Sequence, residues 1–245
     1  MNIFVITLFP ELFDGFTRGG AVKRAIKQEA VKMHFLNPRD FTEDKHRQVD
    51  DYPFGGGAGM VLKPEPIFRA VESIWDRTGG RKEGDRVVLL TAKGEVFNHE
   101  KAVEFSVAER LILISGHYKD VDERVRSGLV TDEVSLGDFI LSGGEIVAMA
   151  IIDSVVRLLP GVLGDFESAL GDSFFDGLLS PPAYTRPNEY RDMKVPDILL
   201  SGDHEAIREW RRKEALRLTQ KRRPDLWEKY RSSWGIDEDE SEKSI

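Results

Sequence analysis

Through residue 160 of the 245, short apolar runs alternate with stretches whose apolar residues recur at helical spacing. The run Ile3-Phe4-Val5-Ile6-Thr7-Leu8 predicts a buried strand, followed at Phe9-Pro10 by a helix. Residues 64–75 predict another helix, and Arg86-Val87-Val88-Leu89-Leu90-Thr91 a strand that ends at Ala92-Lys93-Gly94. A helix is predicted over 100–105. Leu111-Ile112-Leu113-Ile114 then predicts a strand ending at Ser115-Gly116. The segment 134–141 leads into Ser142-Gly143-Gly144, and a long apolar helix over 145–159 stops at Pro160-Gly161. Strands alternating with helices predict an α/β fold with a mainly parallel sheet. In such sheets ligands bind beyond the carboxyl ends of the strands. Those ends carry glycine here, at 91–94, 115–118 and 136–144, so three loops are expected to converge on one pocket.

The pattern changes after residue 160. Residues 171–187 cannot form a regular helix or strand, because glycines and Pro181-Pro182 punctuate them. Loops longer than about a dozen residues are usually functional or disordered. Disordered segments are poor in aromatics, whereas this one holds Phe174, Phe175 and Tyr184. It reads as an ordered working loop. A small helical domain follows. Ser201-Gly202-Asp203-His204 offers an N-cap, Ile207, Trp210 and Leu218 form one apolar stripe, and Pro224 ends or restarts the helix. The acidic tail after Trp234 is expected to fray. The domain organisation expected is 1–160, a linking loop over 161–187, and a helical part over 188–245.

Composition narrows the classes. Apolar content is that of a globular protein. Met1 to Ile6 lacks a basic leader, and the most apolar region is interrupted by Glu145, Asp153 and Arg157. A cytoplasmic protein without a membrane span is the expectation. The absence of cysteine excludes thiolate zinc sites and a cysteine nucleophile. The five histidines are scattered, with no pair at metal-binding spacing, so no metal ligands are assigned. A net charge of −8 argues against indiscriminate nucleic-acid binding. Yet residues 186–231 hold 13 basic against 9 acidic side chains. This is either a patch for selective polyanion binding or a solvated helix with internal ion pairs.

Neither the dinucleotide glycine fingerprint nor the phosphate-binding G-x-x-x-x-G-K-[ST] loop is present. The cluster Gly55-Gly56-Gly57-Ala58-Gly59 is either a set of tight turns or a place where backbone approaches a ligand closely. Asp172 reads as a loop-capping aspartate or as a general base. Arg157 reads as a helix-end cation or as an electrostatic stabiliser.

Larger patterns discriminate better. Thr7-Leu8-Phe9-Pro10-Glu11, Arg39-Asp40-Phe41-Thr42, His46-Arg47 with Val49-Asp50-Asp51, and Gly55-Gly56-Gly57 with Gly59-Met60 occur in order. So do Val121-Asp122-Glu123-Arg124-Val125, the run from Leu136 to Glu145, Pro160-Gly161-Val162-Leu163, and the loop through Tyr184-Thr185-Arg186-Pro187. In this combination the chain resembles, nearly end to end, the SPOUT-class tRNA (guanine-N1)-methyltransferase family. The resemblance implies a trefoil-knotted α/β domain, S-adenosylmethionine as methyl donor, a magnesium ion without assigned ligands, and a homodimer with active sites at the subunit interface. It implies the guanosine just 3′ of the tRNA anticodon as acceptor.

It also implies roles for residues. Asp172 would be the general base and Arg157 the stabiliser of charge on the guanine O6. Leu90, Thr91, Gly94, Gly116, Tyr118, Leu136, Gly137, Asp138, Phe139, Ile140, Leu141, Gly143 and Gly144 would hold the donor. Asp50, Gly55, Gly59, Arg186, Arg208 and Arg212 would contact tRNA. The chain departs from the family pattern in four places. Tyr118-Lys119-Asp120 stands for Tyr-Glu-Gly, Thr91-Ala92-Lys93-Gly94 for Ser-Pro-Gln-Gly, Val147 for a proline and Ser180 for an aspartate. Two rival readings remain at this level: a related knotted methyltransferase acting on another RNA site, and an RNA-binding protein without catalysis.

Overall fold

The computed structural model describes residues 1–163 and 171–235. The chain divides into two compact units, Met1–Gly164 and Asp165–Ile245. In chain order the first unit contains β1 (Asn2–Ile6), α1 (Phe13–Thr17), α2 (Gly20–Lys27) and β2 (Lys32–Leu36). A short antiparallel ribbon follows, β3 (Asp50–Asp51) with β4 (Val61–Leu62). Then come α3 (Pro64–Arg77), β5 (Arg86–Val96), α4 (His99–Ser106), β6 (Arg110–Ser115), α5 (Glu123–Leu129), β7 (Asp132–Ser135) and α6 (Glu145–Val156).

Five strands form one sheet in the order β2-β1-β6-β5-β7, and every neighbouring pair is parallel. The alternation of side chains explains its two covers. Ile3 and Val5, Val88 and Leu90, and Leu111 and Leu113 point to one face, into a core shared with α1, α2, α4 and α6. Phe4 and Ile6, Val87 and Leu89, and Ile112 and Ile114 point to the other face, against α3 and α5. Both faces are buried, which is why these strands read as continuous apolar runs. The α/β, mainly parallel expectation holds.

Elsewhere the structure differs from the pattern. The helix expected over 145–159 ends at Val156. Beyond it the bonds tighten to Leu158 N–H to Val155 C=O and Leu159 N–H to Val156 C=O. Pro160 disfavours helical backbone in the residue before it, so the last turn cannot continue as α-helix. β5 runs on past Thr91, but its register with β7 breaks there: Leu90 and Glu95 both face Val134, so residues 91–94 leave the ladder as an excursion.

In the second unit, residues 171–187 contain no helix or strand, as expected. A hairpin of β8 (Glu189–Tyr190) and β9 (Met193–Lys194) leads to α7 (His204–Arg222) and α8 (Pro224–Trp234). Asp203 caps α7, its carboxylate accepting from the N–H groups of Glu205 and Ala206. Pro224 restarts the helix rather than ending it. The predicted stripe shifts by a fraction of a turn: Ile207, Trp210 and Leu218 are half-buried, while Ala215, Leu216 and Thr219 are buried. The reason is the loop itself. Leu178 joins Ala215, Leu216 and Tyr230 in a small core, and Leu179 N–H donates to Thr219 Oγ1 at 2.8 Å. The tail expected to fray, residues 236–245, lies outside the described residues. No described helix is long and apolar enough to cross a membrane.

Candidate functional site

The excursion of β5 and the carboxyl ends of β6 and β7 border a cavity of about 330 Å³, within the size range of small-ligand sites. Its walls are the three loops that the sequence singles out. The β5 excursion contributes Thr91 and Lys93, the turn after β6 contributes residues 116–120, and the segment after β7 contributes 136–137 and 139–144.

Glycine is required where these loops meet. A Cβ on Gly144 would lie 2.8 Å from the Ser115 Cα and 3.0 Å from the Gly116 nitrogen. That close approach lets Gly144 N–H donate to the Gly116 carbonyl at 2.9 Å and locks the start of α6 onto the end of β6. A Cβ on Gly143 would collide with the His117 ring and the Glu145 carboxylate. Those two groups approach at 3.4 Å, and the buried Glu145 also accepts from Thr7 Oγ1 at 2.7 Å. Gly144→Ala is expected to lower stability by about 1–3 kcal/mol through overpacking. It is also expected to weaken ligand binding in the cavity; thermal unfolding and calorimetric titration read the two effects separately.

Of the expected donor-site residues, Leu90, Thr91, Gly116, Tyr118, Leu136, Gly137, Phe139, Ile140, Leu141, Gly143 and Gly144 line this cavity. Gly94 and Asp138 do not. Gly94 instead packs onto β7, where an added Cβ would come within 2.3 Å of the Val134 nitrogen. Lys93, His117, Lys119 and Asp120 line the cavity without having been singled out as donor-site residues. In the sequence, Lys93, Lys119 and Asp120 are marked only as departures from the family pattern, and His117 only by its place at a glycine-bearing strand end. Lys93 Nζ contacts Asp120 Oδ2 at 2.6 Å. Partial burial works to raise the Asp120 pKa. The hydrogen bonds from Lys93 and the Val121 N–H, with the charges of Lys93 and Arg126, outweigh it and hold the carboxyl below its usual range.

Gly55, Gly56, Gly57 and Gly59 all adopt φ between 80° and 110°, a conformation only glycine adopts readily. Such backbone serves tight turns and close approach to a ligand alike. Asp50 lies at the start of the adjoining ribbon. Arg157 is exposed at the carboxyl end of α6.

The second unit has its own cavity, of about 1040 Å³. Asp172, Arg186 and Arg212 stand on its lining together with Tyr184 and Arg211, so three expected residues come together around one space. Arg212 also reaches the Tyr230 hydroxyl at 3.4 Å. Arg208 is exposed on α7 and does not line this space.

A parallel sheet covered on both faces, with a glycine-walled cavity at its strand ends, defines an α/β ligand-binding fold. Its particular kind is given by likeness to known proteins. The sequence model described as tRNA (Guanine-1)-methyltransferase TrmD matches residues 1–229. The chain is 54% identical over 228 residues to the tRNA (guanine-N(1)-)-methyltransferase of Bacillus cereus strain AH820, covering 93% of this chain and 92% of that protein. Identity and coverage are the same for the proteins of that name from Bacillus anthracis strain A0248 and Bacillus thuringiensis subsp. konkukian strain 97-27. The chain belongs to the tRNA (guanine-N1)-methyltransferase family.

Proposed function

We propose that this protein transfers a methyl group from S-adenosylmethionine to N1 of the guanosine immediately 3′ of the tRNA anticodon, position 37. The observation that carries this reading is the family match over residues 1–229. The cavity supports it. Leu90, Leu136, Leu141 and Val147 offer apolar walls for an adenine ring, and backbone groups of the 116–118 and 136–144 segments border the same space.

S-adenosylmethionine, when bound, supplies an electrophilic methyl whose bonding pair stays with sulfur on transfer. The remaining steps fall to the chain. Guanine N1 carries a proton at neutral pH and is a poor nucleophile. The Asp172 carboxylate takes that proton as the N1–methyl bond forms. The negative charge that develops on O6 is met by the Arg157 guanidinium. Asp50, Gly55, Gly59, Arg186, Arg208 and Arg212 position the RNA through its backbone, and the target base is read flipped out of its stack.

Three further features belong to this reading and are supported by family membership. They are a trefoil-knotted SPOUT arrangement of the first unit, a homodimer with active sites at the subunit interface, and a cytoplasmic place of work. Exposed Phe139, Ile140 and Ile146 give the homodimer an apolar surface. The described residues offer no cluster of three or more acidic or histidine side chains for magnesium, and no step is assigned to a metal.

Arg157→Ala is expected to lower turnover about 10²-fold, the usual loss for one donor to a developing oxyanion. Donor affinity measured by calorimetry should stay near wild type. A loss confined to donor affinity would contradict the role at O6. The function itself is tested by digesting tRNA to nucleosides after incubation with protein and donor. Mass spectrometry should find 1-methylguanosine. A methyl group at another atom or nucleotide would instead support a related enzyme acting on a different RNA site.

A further inference from the structure

One carboxylate in the first unit ties two walls of the donor cavity together. Asp120 lies on the loop after β6, and its side chain is 18% exposed. Its Oδ2 accepts from Lys93 Nζ at 2.6 Å and from Arg126 Nη2 at 3.4 Å, while Oδ1 accepts from the Val121 N–H at 2.8 Å. Lys93 belongs to the excursion of β5, 27 residues earlier. Arg126, on α5, carries the link onward, its Nε donating to Glu133 Oε2 on β7 at 2.8 Å. The backbone pins the same loop from outside. Lys119 N–H donates to the Met60 carbonyl at 3.1 Å, and Leu62 N–H to the Asp120 carbonyl at 3.0 Å. Of these contacts only the Lys93–Asp120 ion pair spans directly from the β5 wall to the β6 wall, and both residues line the cavity.

We propose that Asp120 is a positioning residue for methyl transfer, and that its ion pair with Lys93 is a clasp that holds two walls of the donor cavity at their binding distance. This rests on the reading of that cavity as the S-adenosylmethionine site. Neither side chain is given a place at the reacting atoms; the clasp acts on donor affinity. Lys93 is 66% exposed, so the pair by itself contributes modestly and is screened by salt. Asp120 contributes more, because its carboxylate also accepts from Arg126 and from the Val121 N–H.

The test is calorimetric titration of the full-length protein with S-adenosylmethionine and with its demethylated product, S-adenosylhomocysteine. Wild type, Lys93→Met, Lys93→Arg and Asp120→Asn are compared, with thermal unfolding measured in parallel. Lys93→Met is expected to weaken both ligands about fivefold. Lys93→Arg should retain most of the affinity. Asp120→Asn is expected to weaken both ligands about tenfold. At about 1 M salt, where screening acts over about 3 Å, wild-type affinity should approach that of Lys93→Met. In steady state the donor KM should rise while kcat at saturating donor holds. A purely structural role would instead lower the unfolding midpoint in step with affinity. Variants that bind both ligands as wild type does, or affinity losses that track lost stability and are not rescued by arginine, overturn the clasp. If the wild-type protein shows no saturable donor binding, the reading of the cavity fails first and the clasp with it.

Discussion

Asp172→Asn is expected to abolish methyl transfer while leaving donor binding intact. Asparagine keeps the shape of aspartate and its capacity to accept a hydrogen bond, but it cannot take up the N1 proton. A positioned general base contributes about 10²–10⁴-fold, so single-turnover methyl transfer should fall by about that factor. Asp172→Ala should lose as much, since the proton acceptor is what matters. Asp172 is exposed on the second unit's cavity, whereas the cavity proposed to hold the donor is lined by residues 90–147 of the first. Single-turnover kinetics on a tRNA transcript, with donor affinity from calorimetry, reads both quantities. Near-normal turnover in either variant would remove Asp172 from the role of base. Loss of donor affinity alone would move it into the donor site.

Asp85→Ala is expected to cost about 3–5 kcal/mol of folding stability, the penalty for leaving a buried charge without its partner. Arg110 is 1% exposed and Asp85 4% exposed. The guanidinium donates through Nε to Asp85 Oδ1 at 2.6 Å, through Nη2 to the Gly80 carbonyl at 2.7 Å, and through Nη1 to Thr78 Oγ1. Asp85 in turn accepts from the Lys82 N–H at 3.0 Å. This network ties the start of β6 to the turn between α3 and β5, so its loss should loosen the central strand from its amino end. A domain's whole stability is about 5–15 kcal/mol, so the variant should be near its unfolding threshold at 37 °C. Replacing both partners, as in Asp85→Ala with Arg110→Met, should recover part of the loss because no unpaired charge remains. Urea denaturation measures all three proteins. A loss under about 1 kcal/mol for the single variant would show that the pair is dispensable, as exposed ion pairs commonly are.

Much of the first unit was legible because its strands are buried on both faces. Ile3 to Ile6, Val87 to Leu90 and Leu111 to Ile114 announce themselves as apolar runs. The edge strand β2 does not. Lys32-Met33-His34-Phe35-Leu36 has only partial burial, and its polar positions carry no such run. The Lys- and Arg-bearing α2 and the polar α5 are equally quiet, since two buried side chains each suffice to dock them. The three glycine-bearing strand ends were readable from position alone, and they do meet in one cavity. Roles within it came from family likeness, because Leu90 or Leu136 contacts a ligand with the same chemistry by which it packs a core.

The departures at 93 and at 119–120 teach something different. Read along the chain they are separate oddities. In the structure, Lys93 and Asp120 are partners at 2.6 Å. Surface lysines and aspartates are too common for a sequence to say which of them meet, and only the excursion of β5 brings these two together. The stripe on α7 was displaced for a related reason. Which face of that helix is buried was decided by Leu178 and Tyr230, neither of which lies on it.

The most direct test of the central claim is transfer of radiolabelled methyl from S-adenosylmethionine to two tRNA transcripts differing only at position 37. The guanosine transcript should take up about one methyl per tRNA, and the adenosine transcript should stay at background. Equal labelling of both transcripts, or labelling of neither, would contradict the account.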